Sequence, residues 1–433
     1  MKSKVLIGFS VFIFCSINIF PQTAAPPPTP TRSRVIGTNQ TPSPTPTPAR
    51  KAVVITNNLP SPTPKPMATP LQTPIVTGSS YNPTTIARVE PTFYKPLSFR
   101  EIKKKIAEAK RQMTARPIPT SITDSFLLTD VVRLAFYDYE SVKVDYIVMT
   151  KDAFLSRNAE FSSTTENGKF VRTRIIRANG VNTPVMIIDA ANRAHLPLLV
   201  QYPVVRNDVY METAYYVSTH AGIVTPEVVS AGRLYVRNTL DAARENLRKK
   251  GVFISTQVTD MAERLTIVEH VDHLRFRTES HPTIYNDIFA LYALNEGQTY
   301  RYSVSSAGAG GMVQMIPSTY RIIRSRYYNV GLMPDFVEGM RNHPNAAQAM
   351  LLYMQMTWDE LVSSDTVYNA IENGIATPTE LMSAGYNSNP SRLAGYIKRG
   401  GANWRNLIPR ETKIYLQINA SMDRYVPLSP RAK

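Results

Sequence analysis

The chain reads as an α+β protein, on three observations. Runs rich in Val, Ile, Tyr and Thr gather between positions 97 and 224, helical periodicity takes over at Thr225 and holds through 433, and a Pro/Thr/Ser-rich tract precedes both. Behind that tract the 433-residue chain, 43% hydrophobic overall, is long enough for two cores.

Lys2 and Lys4 precede an apolar run from Val5 to Phe20, and Thr23, Ala24 and Ala25 supply the small residues a signal peptidase accepts. Residues 1–25 are expected to be an export signal or, because Pro26 disfavours cleavage directly before it, an uncleaved anchor. The only cysteine, Cys15, lies in this run, which leaves the rest of the chain without a thiol for a disulfide or a metal. Residues 26–96 carry Pro-Thr-Pro repeats at Pro42 to Pro48 and Pro60 to Pro66. Such composition favours extended polyproline geometry, about 3.1 Å per residue, and is expected to be a disordered linker.

Ser98 followed by Glu101 has the form of a capping box at the head of a charged helix through Arg111. Strands are expected over Leu127 to Val144, Tyr146 to Thr150, Lys169 to Ala178, Thr183 to Asp189 and Leu198 to Arg206, punctuated by Asn167-Gly168 and Asn179-Gly180. Residues 97–224 thus form a smaller, mostly β domain. Alternate Arg172, Arg174 and Arg177 place cations on a strand edge, where they block edge pairing or meet anionic polymers.

From 225 to 433 the domain is helical. Thr225 caps, Pro226 opens the first turn, and the pattern runs to Lys249 and Lys250 before Gly251 stops it. A second helix is expected near Gln257 to Arg275. It carries Glu269, His270, Asp272 and His273, a set without a zinc-ligand motif, so no metal is expected. The run Pro282 to Asn295 is apolar at helical spacing, and Gly297 supplies a stop. Glu296 then sits at the electrically negative end of a helix. That position, with Leu294 and Met312 to desolvate it, favours a protonated carboxyl able to donate a proton. Between Gly297 and Pro334 there is no Asp or Glu, so the local pattern offers one acid where ordinary glycosidases use two.

The turn after this acid reads Ser305, Ser306, Ala307, Gly308, Ala309, Gly310, Gly311, Met312, Val313, Gln314, with Ile316 and Pro317 behind it, and Gln314 stands 18 positions after Glu296. Further on come Gly385, Tyr386, Asn387 and Ser388, then Ile408, Pro409, Arg410, Glu411, Thr412 and Tyr415. In this order and spacing the last third of the chain resembles the soluble lytic transglycosylase family, lysozyme-like enzymes of bacterial cell walls. The family's Ser after the acid is here Gly297, its Phe-Asn-Pro stretch is Thr299, Tyr300 and Arg301, Asn389 replaces a Gly, and its Asp-Pro helix start is His343 and Pro344.

The resemblance implies a mostly helical, lysozyme-like C-terminal domain that cleaves the β-1,4 bond between N-acetylmuramic acid and N-acetylglucosamine. In that implied mechanism Glu296 is acid and then base, closing the muramic C6 hydroxyl on C1 as a 1,6-anhydro end, without cofactor or metal. Ser305, Met312, Gln314, Tyr386, Asn387 and Tyr415 would bind the substrate. Each has a plainer alternative: the glycines as close packing, Gln314 as a partner for the turn's own backbone, the tyrosines as packing residues. A hydrolytic lysozyme and a non-catalytic glycan-binding protein on the same fold are the competing functions.

The net charge of +16 suits an anionic setting such as peptidoglycan strands, wall polymers or a membrane surface. Nucleic acid is not expected, because the basic residues are scattered and the leader directs export. A monomer in the periplasm or cell envelope is the expected state.

Overall fold

In a computed structural model the described residues are 90–116, 130–206, 209–305 and 307–432. The export segment, most of the Pro-rich tract, Leu127 to Thr129 of the first expected strand and Ser306 lie outside them. The described chain mixes helices with a curled antiparallel sheet.

Strands β1 (Thr92–Phe93), β2 (Val131–Asp138), β3 (Lys143–Thr150), β4 (Glu160–Thr164), β5 (Phe170–Ile175), β6 (Val185–Asp189), β7 (Arg193–Arg206) and β8 (Val209–Tyr216) make one sheet. Its order is β3-β2-β7-β6-β5-β4, with β1 and β8 also on β7. The 14-residue β7 organises it: Ala194 and His195 pair with β6, Leu196 to Gln201 with β2, and Val200 onward with β8. The expected single strand Leu127 to Val144 is instead a hairpin. Its turn lacks glycine or proline and is closed by the Asp138 carboxylate, which accepts from the Glu140 N–H at 3.0 Å and the Ser141 hydroxyl at 2.8 Å.

The arginines of β5 do not guard an edge, because β4 and β6 flank that strand. Arg172 and Arg174 reach across to Glu160, each at 2.8–2.9 Å. Arg177 lies past the strand's end and points elsewhere, as described below.

Helix α1 (Phe99–Ala115) starts with the expected capping box, and α2 (Lys151–Phe154) is a single turn. The helical part comprises α3 (Pro226–Lys249), α4 (Thr256–Val268), α5 (His273–Thr278), α6 (His281–Asn295), α7 (Pro317–Arg326), α8 (Phe336–Arg341), α9 (His343–Val362), α10 (Asp365–Glu372), α11 (Pro378–Asn387), α12 (Leu393–Gly400) and α13 (Arg410–Tyr425). The second expected helix is broken after Val268, because the Asp272 side chain accepts from the Leu274 and Arg275 N–H groups at 2.8 Å and caps a new helix. That break makes Glu269 a helix-end residue.

Helix α6 is apolar on every face, the pattern of a helix buried all round. Ile284, Tyr285, Ile288, Phe289 and Tyr292 enter the core of the helical part, Leu291 enters the core inside the sheet, and Ala290 and Ala293 pack with α1, β2 and β7. The sheet therefore has no core wholly its own. Asn295 fixes the junction: its Oδ1 accepts from the Val217 N–H and its Nδ2 donates to the Val217 carbonyl, both at 2.9 Å. Asn295→Ala leaves both groups of Val217 unpaired, so urea unfolding should show a loss of about 1–3 kcal/mol.

Candidate active site

The three motif segments of the C-terminal third come together in space, and they do so around Glu269. The glycine-rich turn enters as a 3-10 turn over Gly311–Val313. Gly311 has φ +67°, and a Cβ there would lie 2.2 Å from the Met340 carbonyl oxygen, so only glycine fits. Met312 is fully buried in the helical core. The Tyr386 hydroxyl donates to the Val313 carbonyl at 2.6 Å, and the Thr412 hydroxyl donates to Asn387 Oδ1 at 2.8 Å. Tyr415 completes the set by donating to Glu269 Oε1 at 2.7 Å.

His270 ties the same place to the turn. Its Nε2 lies 3.0 Å from the Met312 carbonyl, and a carbonyl only accepts, so Nε2 carries the proton. The ring stacks on Tyr300 at a centroid separation of 3.3 Å. Burial pushes the imidazole down to about 3, so it is a neutral, fixed donor at neutral pH. His273, at the start of α5, does not join it.

Glu269 and His270 line a cavity of about 600 Å³ between the sheet and the helices, together with Tyr202, Tyr216, Tyr300 and Tyr302. Burial is the main cause that pushes the Glu269 carboxyl up to about 8; Tyr415's hydrogen bond opposes the rise and nearby Glu411 adds to it. At pH 7 Glu269 is mostly protonated. Two other acids line the cavity, but Asp272 caps α5 through Oδ1 and Asp287 accepts from Arg275 at 2.6 Å.

Glu296 is elsewhere. It caps α6 with φ +45°, an unusual backbone for a residue with a Cβ, stabilised by the Thr299 N–H and hydroxyl, which both donate to its carbonyl at 2.9–3.0 Å. Its side chain is 52% exposed and pairs with Lys103 of α1. It does not line the cavity, and the desolvation expected from Leu294 and Met312 is not its environment. The helix stop expected at Gly297 falls on Glu296 itself, which takes the positive φ.

Of the remaining expected site residues, Gln314 adopts a left-handed conformation and donates from Nε2 to the Gly311 carbonyl at 2.9 Å and to Ser303 Oγ at 3.3 Å, which is the backbone-satisfying role. Ser305 Oγ accepts the Ala309 N–H at 3.0 Å and closes the loop. Sequence reasoning passed over Glu269 because it placed that residue mid-helix. The usable signal was Thr266-Ile267-Val268-Glu269, an acid directly after an apolar helix end, the same arrangement that drew attention to Glu296.

Far from this cavity, Asp138, Glu140 and His195 cluster closely enough to share a cation. The Lys169 ammonium stands among them, at 2.7 Å from Asp138, 2.8 Å from Glu140 and 2.9 Å from His195, and supplies that charge. Among the described residues no helix is long and apolar enough to cross a membrane. Comparison with family models, with curated proteins and with solved structures finds no match to this chain.

Proposed function

We propose that this protein is a lysozyme-like lytic transglycosylase of the cell envelope that cleaves peptidoglycan strands, with Glu269 rather than Glu296 as its proton donor. The observation that carries the reading is that hydrogen bonds tie the turn to Tyr386 and Asn387 to Thr412, and that Tyr415, on the same helix as Thr412, holds Glu269, itself a residue of the cavity wall. A neutral carboxylic acid at pH 7 is what protonation of a glycosidic oxygen requires.

In this mechanism Glu269 gives its proton to the oxygen between N-acetylmuramic acid and N-acetylglucosamine, and the C1–O bond breaks. The substrate's acetamido group supports the positive charge at C1. The Glu269 carboxylate then takes the proton of the muramic C6 hydroxyl, whose oxygen bonds to C1. The donor is restored, and the product is a 1,6-anhydro end formed without water. Tyr415 holds Oε1 throughout.

Digestion of purified sacculi followed by mass spectrometry of the fragments tests the reading. Anhydro ends, one water lighter than reducing ends, are expected. Reducing ends instead make the enzyme a hydrolytic lysozyme. The exposed, lysine-paired Glu296 favours a second reading, a non-catalytic glycan-binding protein; binding of sacculi with no fragments released identifies it.

A further inference from the structure

The wall of the cavity contributed by the sheet carries a cation that the cleavage chemistry does not use. Arg177 follows β5 and faces the cavity beside Arg275, Asp287, Glu279 and Asp272. These neighbours are already committed to one another. Arg275 donates to Glu279 at 2.8 Å and to Asp287 at 2.6 Å, and Asp272 caps α5. Among the described residues no hydrogen bond or contact ion pair engages the Arg177 guanidinium. Its planar fork matches a carboxylate, and Asn179 and Thr219 also line the cavity.

We propose that Arg177 forms a carboxylate subsite of this cavity, which binds the acidic branch of an amino-sugar strand while the sugar backbone lies toward Glu269. The inference rests on the glycan reading above. It gives the sheet a role in selecting substrate: a strand of plain N-acetylglucosamine has no group for Arg177, whereas a muramic residue carries a lactyl carboxyl, free or extended by a peptide that supplies its own.

Calorimetric titration of the full chain in a Glu269→Gln background, which leaves the ligand intact, tests this with four probes. They are a neutral chitooligosaccharide, a muramic-acid saccharide with a free carboxylate, the same saccharide as its methyl amide, and a peptide-bearing saccharide. The free carboxylate should bind about 10-fold or more tighter than the amide, as a charge-assisted contact provides. Adding Arg177→Gln should abolish that preference and leave the chitooligosaccharide unchanged, and Arg177→Lys should restore part of it. A peptide-bearing probe that alone shows the preference puts the recognised carboxylate on the peptide, and one no better than the free acid puts it on the lactyl group. Neutral binding without any carboxylate preference, or a preference that survives Arg177→Gln, overturns the subsite alone. No binding of any saccharide overturns the glycan reading with it.

Discussion

Glu269→Gln should reduce release of fragments from sacculi by about 10³-fold, while Glu296→Gln should leave it within a factor of about 5. The first figure is the middle of what a positioned general acid contributes; the second reflects a solvent-exposed ion pair, worth no more than about 1 kcal/mol. Glutamine keeps the shape of either side chain and accepts Tyr415's hydrogen bond as glutamate does, so folding should persist. The reverse pattern returns the acid to Glu296 and makes Glu269 structural. The pH profile is a second check. With its carboxyl pushed up to about 8, the donor form dominates at neutral pH, and cleavage should fall as pH rises through about 8. Stability changes over a wider window. The native state holds the proton more tightly than the unfolded chain, whose carboxyl titrates near 4.5, so the stability tied to that proton is complete below about 4.5 and lost progressively up to about 8. The Glu269→Gln variant should lack this component, and the difference in urea midpoint between the two proteins should drift in its favour from pH 4.5 to 8. A constant difference removes the raised carboxyl from the account.

Much of the frame was legible in the sequence, for local reasons. Ser98 and Glu101, Thr225 with Pro226, and His343 with Pro344 mark helix starts through backbone groups only a few residues away, and the structure has α1, α3 and α9 at those places. The β5 and β6 runs read correctly as strands for the same reason. Errors arose where a long-range partner or an unusual dihedral decides. The hairpin at Tyr139 to Val142 depends on one aspartate side chain closing a turn that has no glycine. The break after Val268 depends on Asp272 capping in the middle of an apolar pattern.

The site shows the same division. The family resemblance implied Tyr386, Asn387 and Tyr415, and their hydrogen bonds do tie the turn, α11, α13 and the end of α4 together, yet the acid that the resemblance implied, Glu296, lies apart from them. Glu296 and Glu269 both follow apolar helix ends. Only the packing of α13 against α4, which brings Tyr415 to Glu269, and that of α1, which brings Lys103 to Glu296, separates them. The environment of a carboxyl is a property of residues more than a hundred positions away, and no local pattern encodes it.

The crossing of α3 and α6 positions a helix that carries part of the cavity wall, and a single hydrogen atom permits it. A Cβ placed on Gly232 of α3 would lie 1.9 Å from the Phe289 carbonyl oxygen of α6. Helix propensity alone predicts that Gly232→Ala stabilises by roughly 1 kcal/mol, whereas the clash is with rigid backbone that no rotamer change relieves and should cost about 3 kcal/mol, the upper range of overpacking. The clash wins. Because the sheet shares its core with α6 and unfolds with the helices, a net loss of about 2 kcal/mol corresponds to a fall of about 2–3 °C in the thermal midpoint, at about 2.1 cal/mol/K of unfolding entropy per residue. Gly395→Ala in α12 is the matched control, since its Cβ meets only the mobile Arg399 guanidinium at 3.3 Å, and its midpoint should hold or rise. The consequence reaches the cavity because α6 also carries Asp287, Ile288 and Leu291 on its wall and Asn295 at the junction with the sheet. Helices forced apart at Gly232 must move that wall relative to Glu269 on α4, so residual folded Gly232→Ala protein should lose cleavage beyond its loss of folded fraction. Equal midpoints for the two alanine variants would show that α3 and α6 do not cross as closely as Gly232 allows.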